Sequence, residues 1–132
     1  MTLTANEVFG VVEVKQTVTV AQIEKVVRKA LESASTHWLD INAKCVELDN
    51  LKDGETKSEK ITELLIRHPF SHFNFFRNTR TGELFSTNSE DFLDGVKFYM
   101  NENEKDRDID NCHDKIVDQI MQLVLFGFIK YR

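Results

Sequence analysis

Residues 71–87 constrain the fold of this chain more than any other segment, because they have the pattern of two strands joined by a turn. Large apolar residues mark both strands, and they are Phe73, Phe75, Phe76, Leu84 and Phe85. Between the strands, Asn78–Gly82 combines asparagine, threonine and glycine, which are typical of a polar turn. The pattern predicts a β-hairpin at about residues 71–87, and therefore antiparallel strand pairing.

The three phenylalanines of the first strand raise a question about the two faces of the sheet. Strict alternation along a strand places Phe73 and Phe75 on one face and Phe76 on the other. Either the sheet is covered on both sides, or Phe76 contributes to an exposed apolar patch. The second alternative predicts contact with a partner or with a second copy of the chain, as in a homodimer.

An amphipathic helix is the clearest element before the hairpin. Thr19 and Gln22 fit a capping box, in which the two residues satisfy free backbone amides at the start of a helix. The apolar residues that follow have the spacing of one helical face, and they are Ile23, Val26, Val27, Ala30, Leu31 and Ala34. Trp38 lies just beyond this helix, and we expect it to close the same core.

Three further helices are expected. Ser58 is placed to cap a helix that ends before Pro69, since proline disfavours helical backbone in the residue preceding it. Thr87 and Glu90 form another candidate capping box. It opens a helix whose inward-facing residues are Phe92, Val96 and Tyr99. The last helix ends at Gly127, the position of a C-cap glycine, and its apolar residues are Ile116, Val117, Ile120, Leu123 and Val124.

Strands are also expected at Val8–Val14, at Ala43–Leu48 and in the tail, residues 128–132. The resulting order of strands and helices predicts an α+β fold. A chain of 132 residues has the size of one domain. We therefore expect a single domain, residues 1–132, in which helices pack on a small, mainly antiparallel sheet.

Composition predicts a cytoplasmic globular protein. The hydrophobic fraction of 41% and the charged fraction of 30% are ordinary for that class. No apolar run is long enough to cross a membrane, and the first residues lack the pattern of a signal peptide. Two cysteines, Cys45 and Cys112, are too few for a disulfide scaffold.

The negative charge is concentrated in one segment. Residues 88–118 contain ten acidic and four basic residues, whereas the whole chain has a formal net charge of −5. A protein that binds nucleic acid directly normally has the opposite sign, and the aromatic strand lacks the glycines of an RNA-binding motif. A basic protein is therefore the expected partner, and neither a nucleic acid nor a membrane is expected.

The acidic segment does not have the spacing of a known calcium site. Asp106, Asp108 and Asp110 alternate like the first ligands of a calcium-binding loop. The sixth and twelfth positions of that loop require glycine and glutamate, but they hold Asn111 and Val117. We expect these acids to lie in a connector before the last helix.

Other chemical sites are not indicated either. His68, His72, Cys112 and His113 are suitable zinc ligands, but they lack the spacing of a zinc motif. Cys112 and His113 are adjacent, so on a helix they would point about 100° apart and could not act as a nucleophile and its base. Phosphate-loop, dinucleotide, serine-hydrolase and metalloprotease motifs are missing. The sequence predicts no catalytic residue, no metal and no cofactor.

Several segments together resemble a family of short uncharacterised proteins from phages and prophages of Gram-positive bacteria. The segments are ALESASTHW, ITELLIRHP, EDFLDGVKFYM and IVDQIMQLVLFGFIKYR. The resemblance covers roughly residues 18–131, and Gln122–Gly127 is its most specific part. All matching positions have the character of fold determinants, so the resemblance implies no catalytic residue.

The resemblance implies a context of counter-defence. Small acidic phage proteins without enzyme motifs are often inhibitors of host machinery, and anti-CRISPR proteins are among them. Carboxylates can occupy a cationic nucleic-acid channel in place of phosphates. The leading hypothesis is a non-enzymatic anti-CRISPR protein that binds a Cas effector or another host protein. The expected contacts are Glu90, Asp91, Asp94, Glu102, Glu104, Asp106, Asp108 and Asp110.

Two alternatives remain open. One is a small-molecule binder, for example of a nucleotide signal, for which Arg67, Arg77 and Arg80 near the hairpin are the candidate cationic ligands. The other is a phage housekeeping or assembly factor.

Overall fold

The computed structural model describes residues 5–13, 16–102 and 113–132. Within this part of the chain there are four α-helices and two small antiparallel sheets, one of two strands and one of three. The predicted α+β class is confirmed, together with the hairpin. None of the described helices combines the length and the apolar composition that crossing a membrane requires.

The N-terminal sheet leads directly into the first helix. Strand β1 (Val8–Glu13) pairs antiparallel with β2 (Gln16–Thr19), and α1 (Val20–Lys29) follows at once. The backbone N–H of Gln22 donates to the Thr19 hydroxyl at 3.3 Å, and that of Thr19 donates to Gln22 Oε1 at 2.9 Å. The predicted capping box is therefore present.

The second sheet has the order β3, β4, β5. Strand β3 (Leu39–Ile41) pairs antiparallel with β4 (Phe73–Asn78), which pairs antiparallel with β5 (Leu84–Thr87). The helix α2 (Lys57–Arg67) lies between β3 and β4 in the chain.

The predicted strand at Ala43–Leu48 is wrong. The chain leaves the sheet after β3, and Val46–Leu48 forms a 3-10 helix. Asn42 explains the departure. Its side-chain amide donates to the backbone carbonyl of Asn74 at 2.9 Å, and its backbone carbonyl accepts from the N–H of Cys45 at 3.0 Å. A side chain that bonds the neighbouring strand in this way ends the ladder and begins a turn.

Two predicted caps lie at neighbouring positions. Thr56, rather than Ser58, caps α2 and forms a capping box with Glu59. The next helix, α3 (Ser89–Glu102), is preceded by a reciprocal pair in which Asn88 Oδ1 accepts from Asp91 N and Asp91 Oδ2 accepts from Asn88 N, both at 3.0 Å. At the start of both helices, α2 and α3, side chains accept hydrogen bonds from backbone N–H groups that have no partner within the helix.

A bulge in β4 answers the question about the phenylalanines. The register between β4 and β5 shifts between Phe73 and Phe76, so β4 has one more residue than β5 in that interval. All three phenylalanines are buried, and the rings of Phe75 and Phe76 lie 6.1 Å apart. Rings on opposite faces of a strand would be farther apart, so the bulge resets the alternation. Phe76 is fully buried, and the argument for a homodimer that depended on its exposure fails.

The core is one cluster of buried side chains with Trp38, Phe75, Phe76 and Phe92 among the largest. The last helix, α4 (Asp114–Phe126), ends at Gly127, whose φ of 81° is the left-handed conformation expected of a C-cap glycine. The tail after it does not form the expected strand and returns across α4 as an irregular segment.

Candidate functional site

The outer face of α3 carries a row of charged and aromatic side chains. Glu90, Asp94, Phe98 and Glu102 are spaced four residues apart, so each side chain is turned about 40° from the one before it. Together they form a ridge that winds over the exposed side of the helix, with about 120° between Glu90 and Glu102. All four are exposed, and Phe98 is 52% exposed although it is fully apolar. The row extends over about 18 Å. We call these four residues the acidic row.

The inner face of α3 fixes the direction of the acidic row. At Gly95 the backbone of α3 approaches α4 so closely that a Cβ would lie 2.7 Å from the backbone nitrogen of Val124. On a neighbouring side, Leu93 packs against Gly10 of β1. These contacts hold α3 on two elements, so the row points away from the body of the protein.

The carboxylates of the acidic row have no ion-pair partner in the described part of the chain. No Lys or Arg nitrogen there lies within 4.0 Å of Glu90, Asp94 or Glu102. Lys97 is exposed on the same helix, but it does not pair with them. Asp91, the remaining acid of α3, is partly buried and accepts the Asn88 amide at the start of the helix.

Helix stability accounts for only one acid of the acidic row. Glu90, like Asp91, lies in the first turn of α3, where an acid favours the helix dipole. Asp94 lies four residues after Glu90, and like charges at this spacing weakly destabilise a helix. Glu102 lies in the last turn, where an acid opposes the helix dipole and a base would be favourable. Asp94 and Glu102 are therefore not needed by the helix and are available for a partner.

The structure therefore brings together part of the predicted acidic surface. Glu90, Asp94 and Glu102 lie on the exposed side of α3, and Asp91 takes part in a cap. The other four predicted contacts lie outside the described residues, and they are Glu104, Asp106, Asp108 and Asp110.

The three arginines of the alternative hypothesis lie on different elements. Arg67 ends α2 and lies 3.4 Å from the buried carboxylate of Glu63. Arg77 lies within β4, whereas Arg80 follows that strand and places its guanidinium 4.2 Å from the centre of the Tyr131 ring. Arg67 precedes β4 in the chain and Arg80 follows it, and each has a different neighbour.

A polar network under the tail was not predicted from the sequence. The carboxylate of Asp118 accepts from the Ser35 hydroxyl at 2.7 Å, from the Trp38 indole N–H at 2.7 Å and from Gln122 Nε2 at 3.0 Å. His37 Nε2 lies 3.7 Å from the same group. Ser35 is fully buried and bonds Asp118 rather than His37, so these residues do not form a nucleophile and base.

Gln122 extends this network to the tail. Its side-chain oxygen accepts from the backbone N–H groups of Lys130 and Tyr131, at 2.8 and 2.7 Å. Its side-chain nitrogen donates to the Tyr131 carbonyl at 2.8 Å. One buried glutamine therefore gives the tail the hydrogen bonds that a neighbouring strand would supply. The sequence signal that could have indicated this network is the presence of a glutamine, Gln122, in the apolar face of the last helix.

The described candidate nucleophiles and metal ligands either contact other side chains or lie apart from one another. Burial raises the pKa of the Cys45 thiol to about 11, and the neighbouring Glu47 carboxylate adds to the shift, so the thiolate is scarce at neutral pH. His72 lies 3.3 Å from the Asn88 amide, and His68 packs near the Phe73 ring. In residues 5–13, 16–102 and 113–132 no three potential metal ligands come together. Cys112 lies outside these ranges.

Trp38 and the phenylalanines of β4 are unavailable to stack on nucleic-acid bases, because all of them are buried.

No protein-family model, curated protein or solved structure matches the chain, so its function is inferred from the geometry of the acidic row and of the other described residues.

Proposed function

We propose that this chain is a non-enzymatic binding protein that presents the acidic row to a basic surface of another protein. The observation that carries the proposal is the arrangement of three exposed carboxylates around an exposed phenylalanine on the exposed side of one helix, with no ion-pair partner among the described residues. In the context implied by the resemblance, the partner is a host defence protein, most concretely a Cas effector whose cationic channel binds nucleic acid.

The acidic row suits such a channel for two physical reasons. Its carboxylates are spread over about 18 Å along the helix axis, comparable with a short stretch of nucleic-acid backbone. Charges on the surface of both proteins raise the association rate, and this effect weakens as salt screens them beyond about 10 Å. Phe98 supplies the apolar contact at the centre of the row, since interfaces combine a buried anchor with a polar rim.

The test is binding to a purified Cas effector loaded with its guide RNA, followed by biolayer interferometry over a series of salt concentrations. The variant is the triple reversal Glu90→Lys, Asp94→Lys and Glu102→Lys. We expect its affinity to fall by at least about a hundredfold at low salt, because three attractive contacts become repulsive. A second triple variant, Asp106→Lys, Asp108→Lys and Asp110→Lys, tests the remainder of the predicted surface.

The matched control reverses three exposed acids elsewhere, Glu7→Lys, Asp53→Lys and Glu83→Lys, with the same change in net charge. It should bind within a few-fold of the unmodified chain at physiological salt. If the control and the α3 variant lose affinity equally, net charge rather than the acidic row governs binding. If the unmodified chain binds no effector, the proposed context is wrong.

A further inference from the structure

A pocket of about 310 Å³ lies between α4 and the tail, away from the acidic row. It is lined by Lys115, Asp118, Gln119, Ile129, Tyr131 and Arg132. Its volume is at the lower end of the range for small-molecule sites. The lining combines two cationic side chains with an aromatic ring and an isoleucine, so the pocket has both a charged and an apolar side.

Two further cations are held against the Tyr131 ring. The Arg80 guanidinium lies 4.2 Å from the ring centre, and Lys130 Nζ lies 5.6 Å from it. Neither of these two residues lines the pocket itself. In the described part of the chain no carboxylate lies within 4.0 Å of Lys115 or Arg132, which are the two cations of the lining, or of Arg80 and Lys130 beside the ring. The lining therefore carries two cations that have no ion-pair partner among the described residues.

One acid, Asp118, also lines the pocket and offsets part of this positive charge. Asp118 faces the pocket, but three donors from Ser35, Trp38 and Gln122 already use most of its acceptor capacity. It serves the network below the pocket, and its remaining surface is small. The tail that completes the pocket is fixed by Gln122 and by the packing of Tyr131 near Trp38. The site is thus held in place before a ligand arrives.

We infer that this pocket binds a small phosphorylated molecule with one aromatic ring system. Its phosphate lies between Lys115 and Arg132, where two charge-assisted contacts are available. Its ring lies against Ile129 and Tyr131. The volume favours a mononucleotide over a larger ligand. This inference does not depend on the acidic row and goes beyond the proposed function.

Calorimetric titration of the full chain with AMP at low salt tests the inference. Measurable binding is expected, adenosine should bind at least about tenfold more weakly, and inorganic phosphate should compete with AMP. Equal affinity for AMP and adenosine, absence of competition by phosphate, or no binding of AMP at millimolar concentration would overturn the inference.

Variants locate the site. Lys115→Ala and Arg132→Ala should each weaken AMP binding about tenfold, since each removes one charge-assisted contact. The double control Lys44→Ala with Lys97→Ala removes two positive charges from exposed positions elsewhere, one more than either variant, and should still change affinity less than about threefold. Circular dichroism of each variant checks that it is folded. Folded Lys115 and Arg132 variants that bind AMP as well as the control would overturn the placement.

Discussion

Asp94 and Asp118 are the same residue type on two neighbouring helices, and the structure uses them in opposite ways. Asp94 is exposed in the acidic row with no ion-pair partner among the described residues. Asp118 lies under the tail and accepts three side-chain hydrogen bonds. The difference teaches that total charge does not identify function in this protein. A carboxylate that is hydrogen-bonded within the fold stabilises the protein, and an exposed carboxylate can bind another protein.

The largest effect on stability is expected from removing the carboxylate of Asp118, which is hydrogen-bonded within the fold. Asp118→Ala leaves the Ser35 hydroxyl, the Trp38 indole and the Gln122 amide without their acceptor, so it should lower the free energy of unfolding by about 4 kcal/mol. Asp94→Ala is the matched control and should stay within about 0.5 kcal/mol. Urea denaturation followed by Trp38 fluorescence measures both. Similar losses for the two variants would contradict the comparison.

The next effect concerns Gln122, which connects Asp118 to the tail. Gln122→Ala leaves two backbone donors and one backbone acceptor of the tail unsatisfied, and it should cost about 3 kcal/mol. Hydrogen exchange should show faster exchange of the Lys130 and Tyr131 amides. Gln119→Ala, on the same helix, should leave both amides protected.

The contact that directs the acidic row outward can be tested at Gly95. An added Cβ would lie 2.5 Å from Val124 Cγ2 and 2.8 Å from the Val124 Cα, and a backbone atom cannot move aside easily. Gly95→Ala should therefore cost about 2 kcal/mol. At Gly10 the added Cβ meets only the flexible end of Leu93, so Gly10→Ala should cost less. Equal destabilisation in thermal unfolding would show that α3 is not held mainly by α4.

The smallest effect is a dependence on alkaline pH. The pKa of Cys45 is raised from 9.0 to about 11 in the folded protein, because burial disfavours the thiolate. The unfolded state loses this proton first, so the contribution of the thiol to stability is present below pH 9 and is lost as the pH rises towards 11. Cys45→Ala removes this titration, and the packing that it also removes does not depend on pH. The stability of the unmodified chain should fall more steeply than that of the variant across this interval.

The helices and the hairpin were predictable because their signals are local. The Thr19–Gln22 capping box, the apolar face of α1 and the glycine at the end of α4 each depend on residues within a few positions. The false strand at residues 43–48 had a local apolar pattern as well, but Asn42 ends β3 by bonding to β4. That interaction joins residues 32 positions apart.

The network under the tail was not predictable for the same reason. The partners of Asp118 include Ser35 and Trp38, which are 83 and 80 positions away in the chain. From the sequence, Asp118 and Asp94 are equivalent acids in one negative segment. Half of the predicted acidic surface lies outside the described residues, and the other half gives the exposed face of α3, with Asp91 assigned to the cap.

The bulge in β4 has a consequence for how related sequences should be aligned. Deleting one residue between Phe73 and Phe76 would remove the bulge and leave these two residues on the same face, as simple alternation requires. Arg77 and Asn78 would then keep the faces that they have now. A one-residue gap in this interval of an alignment therefore indicates a related hairpin without the bulge, whereas a one-residue gap elsewhere in the strand would turn the later side chains over.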